Sequence, residues 1–447
     1  MALFIYFLLG AVIVIYELTR KKYFKIDLIT FFNLFFFLSY SFAPAALIIG
    51  GTHLILDDMP YGSEYFGRYY FTPYIVFLSY FFFLAGFHTL SLGGNDYKWE
   101  FKFWWSEDTI MSLIPFAYLL LFLFIFIYIN EFGGLFRTIE LAQAYRGGSI
   151  EYNTFGFVLK FFPLNAILLY YTYYKYFLQK RKNRLLLLYF LLSLSFVLLF
   201  TVIQNSRGYL IFQLLGLYVI TANYYKNLFL KYLIPTLFIV IIIIKYAGAF
   251  FNAIQFLFMD GFDAFIAAYM TAVELKAQEG ASIISYFTHP IVSLEVSLIH
   301  SGYDVGLRYF RDIKDAFVMI IPNELLGIKE PEMVLMKQNS LFLQGRAVEI
   351  VLPGILGYFS YAAQVVGVFI GSYLYGLIGV LLMRLFINLY KVSKSSIVYI
   401  YLFSLAYGYF VFRGVPGHVL EDSFMYFVVI GFLLIFSKLS ITKVSKD

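Results

Sequence analysis

Residues 185–203 read LLLLYFLLSLSFVLLFTVI, nineteen residues without a charge, entered from Lys180-Arg181-Lys182-Asn183-Arg184 and left through Gln204-Asn205-Ser206-Arg207-Gly208. A helix of about 20 apolar residues crosses the ~30 Å hydrocarbon core of a bilayer, so this run reads as a transmembrane span. Similar runs recur on both sides of it. Spans are expected near 2–19, 26–51, 69–93, 109–129, 153–178, 185–203, 209–225, 232–250, 365–390, 397–412 and 423–441. The whole chain agrees: of 447 residues, 62% are hydrophobic and 13% charged, where soluble domains are about half apolar and a quarter charged. A soluble enzyme, a nucleic-acid-binding fold and a disordered chain are thereby excluded. Cysteine is absent, which removes disulfides, thiolate metal sites and cysteine nucleophiles. The 55 Phe and 41 Tyr suit lipid contact and interfacial belts. Met1-Ala2-Leu3-Phe4 lacks a basic stretch, so the first run is expected to stay as a span, not as a cleaved signal.

The expected fold class is therefore an all-α polytopic integral membrane protein of about eleven transmembrane helices with one large outer loop. Three regions follow: 1–250 with about eight spans, 251–352 as the loop, and 353–447 with about three spans. Alternate connections differ in charge. One set carries Arg20, Lys21, Lys22, Lys25, Lys98, Lys102, Lys180, Arg181, Lys182, Arg184, Lys226, Lys231, Lys391, Lys394, Lys438, Lys443 and Lys446; the other, the long loop aside, carries only Arg68, Arg137, Arg146, Arg207 and Arg413. The positive-inside bias places the first set in the cytoplasm, with the amino terminus outside and the carboxyl terminus inside. The formal charge of +6 then reflects basic cytoplasmic loops, not an anionic partner.

The 251–352 segment is where function is sought. Its apolar stretches at 256–258, 264–270 and 317–321 are too short to span, so amphipathic or re-entrant helices are expected, punctuated by Pro290, Pro322, Pro331 and Pro353. Glycines from Gly354 to Gly379, Gly367 and Gly371 among them, suggest close helix packing after the loop. No repeat of the kind found in inverted-repeat transporters is visible.

The short outer connections contain arginine and no lysine. Arginine offers a planar fork of donors that fits phosphate or carboxylate bidentately. Arg207, held in the tight turn Gln204 to Gly208, and Arg413, in Phe412-Arg413-Gly414-Val415-Pro416-Gly417-His418-Val419-Leu420-Glu421-Asp422, are the leading anion-binding candidates; Arg146, in Tyr145-Arg146-Gly147-Gly148, is a third. Arg68 and Arg137 read as partners of nearby acids such as Glu64 and Glu140. In the loop, His289, Glu295, His300, Tyr303, Asp304, Arg308 and Arg311 lie close together. Glu295 or His300 can serve as general base once its environment sets the pKa near ambient pH, although a single helical His or Glu is more often an ordinary interfacial residue. His418 is a further candidate, and Glu421 or Asp422 can simply neutralise Arg413. No His pair combines with acids into a metal ligand set, whereas Asp57-Asp58 reads either as a solvated acidic loop or as a divalent-cation site. Lys160 and Lys245 are expected to snorkel.

The opening span followed by Arg20-Lys21-Lys22-Tyr23-Phe24, the Ser206-Arg207 turn, Arg311-Asp312 leading to Ile321-Pro322-Asn323-Glu324-Leu325-Leu326-Gly327, and Arg413 followed by Asp422-Ser423-Phe424 resemble, in order and spacing over nearly the whole chain, the O-antigen repeat-unit polymerases of bacteria, in layout the enterobacterial common antigen branch most of all. That resemblance implies a multi-span, GT-C-like, lipid-sugar glycosyltransferase of the bacterial inner membrane. Its substrates would be oligosaccharide repeat units on undecaprenyl pyrophosphate, joined at the outer face into surface polysaccharide such as lipopolysaccharide. It further implies Arg207 and Arg413 as main pyrophosphate contacts, Arg146, Arg308 and Arg311 as secondary ones, Glu295, His300 or His418 as base, no cofactor or metal, membrane lipid and a chain-length-setting co-polymerase as partners, and no nucleic acid. The alternatives are an O-antigen ligase, a monophosphate-lipid-sugar transferase centred on Asp57-Asp58, and, from another class, a lipid-linked-sugar flippase or transporter.

Overall fold

The computed structural model describes residues 1–51, 59–92, 97–103, 111–146, 156–204, 207–225, 229–242, 246, 248–279, 287–320, 334–346, 351–435 and 437–443. Asp57, Asp58, Gly147, Gly148, Ser206, Lys245 and residues 321–327 lie outside them, as do the side chains of Arg146 and Arg207. Seven helices among the described residues are long and apolar enough to cross a membrane: Ala2–Thr19, Leu28–Gly50, Thr72–Thr89, Ile114–Glu131, Arg184–Ile203, Gly354–Val392 and Lys394–Arg413. The chain is thus a helical membrane protein. Each of the seven covers most or all of an expected span, although Gly354–Val392 begins eleven residues before the expected start at 365. The other four expected spans take different forms. Residues 156–178 are a 3₁₀ stretch, the helix Leu164–Tyr173 and the π-helix Tyr174–Leu178. Gly208–Tyr224 is apolar but shorter, and Phe229–Ile242 has 14 residues.

The last expected span is corrected at its end. The helix runs from Pro416 to Ile435, and Ser437–Lys443 is a strand paired antiparallel with Tyr97–Phe103, with Trp99 opposite Ile441 and Lys102 opposite Lys438. Tyr97-Lys98-Trp99-Glu100-Phe101-Lys102-Phe103 and Ser437-Lys438-Leu439-Ser440-Ile441-Thr442 both alternate apolar and polar residues, the period of a strand and not of a helix.

Local chemistry sets the helix ends. Asp27 caps Leu28–Phe37 in a capping box with Thr30, and the Asn183 side chain accepts from the Leu185 amide at 2.9 Å where Arg184–Ile203 begins, each satisfying a donor the helix leaves open. The centre of the molecule is Gly354–Val392, which packs along Thr72–Leu92 and against Ile397–Arg413. Gly376 faces the Phe83 carbonyl and Gly86 the Tyr373 carbonyl, so the first pair of helices touches backbone to backbone, as the glycine content suggested. Gly367 and Gly371, by contrast, both face Phe359 of their own helix. Around this core stack Phe32 on Phe83 (3.5 Å between centroids) and Tyr375 on Tyr407 (4.2 Å).

At Ala363 and Gln364 the central helix breaks, with Gln364 at φ 51°. No proline causes this; the loop does. A break frees carbonyls that must find donors, and the amides of Arg308 and Tyr309 supply them to Tyr361 and Ala362, each at 3.0 Å. Gln364 Nε2 in turn donates to the Ser301 carbonyl.

The lysine-rich connections are linked to one another. The Ile26 amide and carbonyl bond the Asn223 side chain (3.0 and 2.8 Å), Phe24 packs on Tyr390 (5.1 Å), and the ribbon joins 97–103 to 437–443. The other set is linked likewise: Gly67 to Glu295, Tyr61 to Leu343, Phe287 to Phe412, Lys160 to Glu421. Charge alternation along the sequence thus matches a partition in space.

Candidate functional site

The second set meets around Gly354. Gly414 adopts φ +64° as C-cap of Ile397–Arg413, and a Cβ there would collide with the Gly354 carbonyl; Gly354, at φ +65°, is itself closed in by the Tyr40 hydroxyl and Pro290. Only glycine accepts this conformation and this approach together. The junction fixes Arg413 beside the origin of both the central helix and His289–His300. Arg413 Nη1 pairs with Asp422 Oδ2 at 2.7 Å, and its Cζ lies 4.7 Å from the Tyr409 ring centroid. The guanidinium is 23% exposed and its carboxylate partner 59%. Next to it, Glu421 receives Lys160 Nζ at 3.3 Å and faces His418 Nδ1 at 3.7 Å.

Arg207 begins the helix Arg207–Tyr224, which packs against Ile397–Arg413, Phe212 meeting Tyr409 at 5.4 Å. Four residues beyond Phe212, Gly216 faces the ring of Tyr401, eight residues before Tyr409. The helices therefore run antiparallel. At 1.5 Å per residue, Arg207 stands ~7 Å beyond Phe212 and Arg413 ~6 Å beyond Tyr409, so their backbones reach one level.

The loop adds further cations from the side. Arg308 is committed: Nε donates to both Asp312 oxygens (3.0 and 2.8 Å) and Nη1 to Gln338 Oε1 (2.9 Å). Arg311 is 73% exposed and only loosely paired, 3.8 Å from Asp315; its helix Arg311–Ile320 packs on Pro416–Ile435, which carries Glu421 and Asp422. Tyr358 lies between, its ring against Phe310 (6.0 Å) and Phe410 (5.8 Å). Its buried hydroxyl has no hydrogen-bond partner among the described residues, which marks it as a group open to a ligand or water.

Glu295 and His300 occupy one helix, His289–His300, in unlike settings. Glu295 is 2% exposed and accepts the Gly67 amide at 2.6 Å, with Thr72 and the backbone at Arg68 and Tyr69 also bonded to it. It is the joint between the connection at residues 59–71 and the loop. Burial pushes its carboxyl up to about 7, the bonds from Gly67 and Thr72 acting in the opposite direction. A folded pKa above the ordinary 4.5 means that folding takes up a proton in between. The resulting stabilisation, at most ~3 kcal/mol, is complete below about pH 4.5 and fades as pH rises through 7. Thermal melts of detergent-solubilised protein should therefore fall by several degrees between pH 5.5 and 8.5, and Glu295→Gln should flatten that slope. An unchanged slope in the Gln variant would contradict it.

His300 ends the helix, part-exposed, with Nδ1 on Asp304 and Nε2 3.2 Å from the Tyr65 hydroxyl. The structure thus brings Arg413, His418 and the ends of the Arg207 and Arg311 helices to one region, and places Glu295 inside the joint. Sequence reasoning missed Lys160 as a partner of Glu421, Gln338 as a partner of Arg308, and Tyr65. Each contact joins residues far apart in the chain, and nothing local announces it. Comparison of the chain with family models, with curated proteins and with solved structures gives no match.

Proposed function

We propose that the protein is a membrane-embedded glycosyltransferase that joins oligosaccharide units carried on a lipid pyrophosphate, elongating a surface polysaccharide at the face opposite the lysine-rich one. The observation that supports this most is the grouping of arginine-bearing elements around Gly354, at the end of a bundle built for lipid. On this reading the other four expected spans also cross, giving eleven spans in a GT-C-like layout in a bacterial plasma membrane, with the amino terminus outside and the carboxyl terminus cytoplasmic.

The chemistry follows from the leaving group. An acceptor hydroxyl attacks the anomeric carbon of the donor sugar, the bond from that carbon to the pyrophosphate oxygen breaks, and the electron pair departs with the lipid pyrophosphate. Fixed guanidinium donors lower the energy of that growing charge without reorganising at the moment of transfer. Arg413 and Arg207 serve the pyrophosphate first, Arg311 is free to join them, and Arg308 braces the loop through Asp312. Among the bases, His300 is better placed than the enclosed Glu295 to meet an entering hydroxyl.

Purified protein in nanodiscs, given a defined undecaprenyl-pyrophosphate oligosaccharide, should yield a ladder of products spaced by one unit. Vesicle-reconstituted protein that moves a labelled lipid-linked sugar across the bilayer without lengthening it would replace this reading with a transporter.

A further inference from the structure

The last residue of the His289–His300 helix sits in an arrangement that neither its sequence neighbours nor the arginine group requires. Amides of Asp304 and Val305 both donate back to the His300 carbonyl, at 3.0 and 3.2 Å, folding residues 301–305 so that the Asp304 carboxylate reaches the imidazole Nδ1 of the same turn. On the other edge, Nε2 faces the hydroxyl of Tyr65, 235 residues away, at 3.2 Å. Phe342 stacks on the imidazole at 4.4 Å and 12°, and Tyr65 meets it edge-on at 5.4 Å. Tyr61, just before Tyr65, bonds the Leu343 carbonyl through its amide at 3.2 Å, so three separate segments hold one ring. Partial burial keeps the Tyr65 hydroxyl above its ordinary pKa, the positive charge of Arg68 opposing this, so Tyr65 is a donor at neutral pH. The assignment of protons is then consistent throughout: Nδ1–H donates to Asp304, and the Nε2 lone pair accepts from Tyr65. Ser301, next to His300, donates to the Ser360 carbonyl at 3.2 Å, and the following Tyr361 carbonyl accepts the Arg308 amide at 3.0 Å, which connects this group to the loop arginines.

We propose that Tyr65, His300 and Asp304 form a proton relay in which His300 is the catalytic base, Asp304 the residue that fixes its tautomer, and Tyr65 the occupant of the acceptor position when no sugar is bound. The role rests on the transferase reading above. In the step itself, the acceptor hydroxyl displaces the Tyr65 hydroxyl from Nε2 and its proton passes to Nε2. Its oxygen forms the new bond to the anomeric carbon, and the pyrophosphate leaves with the electrons of the bond that breaks. The imidazolium, held by Asp304, returns the proton to solvent. A carboxylate on the far nitrogen serves this purpose because it keeps the near nitrogen free as a base in every cycle.

Two measurements separate the relay from the reading it rests on. Nitrogen-15 NMR of histidine-labelled full-length protein in nanodiscs, with His300→Gln to assign the resonance among five histidines, should show the Nδ1–H tautomer in the wild type and its loss in Asp304→Asn. An Nε2–H tautomer in the wild type overturns the relay whatever the protein does. In the ladder assay, Asp304→Asn should lower turnover about 10- to 100-fold and His300→Ala about 10²- to 10⁴-fold, with added imidazole restoring part of the His300→Ala loss and Tyr65→Phe costing less than about fivefold. Restoration by imidazole requires a missing base, which a misfolded variant does not provide. Full turnover in either His300→Ala or Asp304→Asn overturns the relay. A wild type with the expected tautomer that joins no sugars overturns the transferase reading, and the catalytic role with it.

Discussion

Arg413→Ala is expected to reduce chain elongation by about 10²- to 10³-fold while leaving the amount and melting temperature of the protein nearly unchanged. The size follows from what one preorganised donor contributes at a site where negative charge develops. The lack of a stability effect follows from the surroundings. Asp422, the carboxylate left behind, is 59% exposed and stays hydrated, so removing the guanidinium strands no buried charge. Tyr409 loses a cation 4.7 Å from its ring but keeps Phe212 and Phe412 as aromatic neighbours. Arg413→Lys is expected to recover less than a tenth of the lost activity, since an ammonium cannot face Tyr409 as a plane and hold Asp422 and a phosphate through separate nitrogens. Asp422→Asn releases the guanidinium and should tighten the apparent KM for the lipid donor. Arg207→Ala should behave as Arg413→Ala does if both ends serve one pyrophosphate. Product ladders from equal amounts of reconstituted variant proteins measure all four, and full-length polymer from Arg413→Ala would remove this arginine from the mechanism.

The parts of this arrangement that could be read from sequence are those governed by local rules. Seven spans emerge from hydropathy because the length of an apolar run and the thickness of a bilayer are both fixed. The split of connections into two sets emerges because lysine is costly to translocate, and the contacts of Asn223 with Ile26 and of Gly67 with Glu295 respect it. What could not be read depends on distant partners. Tyr97–Phe103 looks like a short loop until Ser437–Lys443 pairs with it. The break at Ala363 has no proline or glycine at its centre to announce it, because the amides that accept its cost come from Arg308 and Tyr309. Glu295 and His300 looked equivalent as bases, being five residues apart on one helix; only the fold turns one into the Gly67 joint and leaves the other at the surface beside Tyr65. Arg308 and Arg311 looked equivalent as cations, and Asp312 with Gln338 decides between them.

Arg20 is the position where the sequence reading and the structure diverge most, and Arg20→Ala is expected to cost about 3–5 kcal/mol of stability. As one of several basic residues after the first span, Arg20 looked like a topological charge. It is instead nearly enclosed, with both terminal nitrogens on Asp27 (2.8 and 2.6 Å), Nε on Glu17 (2.8 Å) and Nη2 also reaching Thr30 (2.9 Å). Thr30 and Asn33 complete Glu17 at 2.7 Å each, and Tyr80 donates to Asn33 at 3.0 Å. Helices Ala2–Thr19, Leu28–Gly50 and Thr72–Leu92 are thereby tied at one level by a network in which each hydrogen bond engages the next residue. Removing the cation strands Asp27, which is fully buried, and a buried carboxylate without its partner is what makes such a loss large. Lys21 and Lys25 do not offset it, since no flexible ammonium reproduces five bonds from one rigid fork. Against a total stability of ~5–15 kcal/mol, the variant should melt far lower in detergent and accumulate poorly in membranes. Combining Arg20→Met with Asp27→Asn removes cation and carboxylate together and should recover much of the loss, which separates stranded charge from lost packing. A melt of Arg20→Ala within about 2 °C of wild type would show that Asp27 finds water or another cation, and the network would then count for orientation alone.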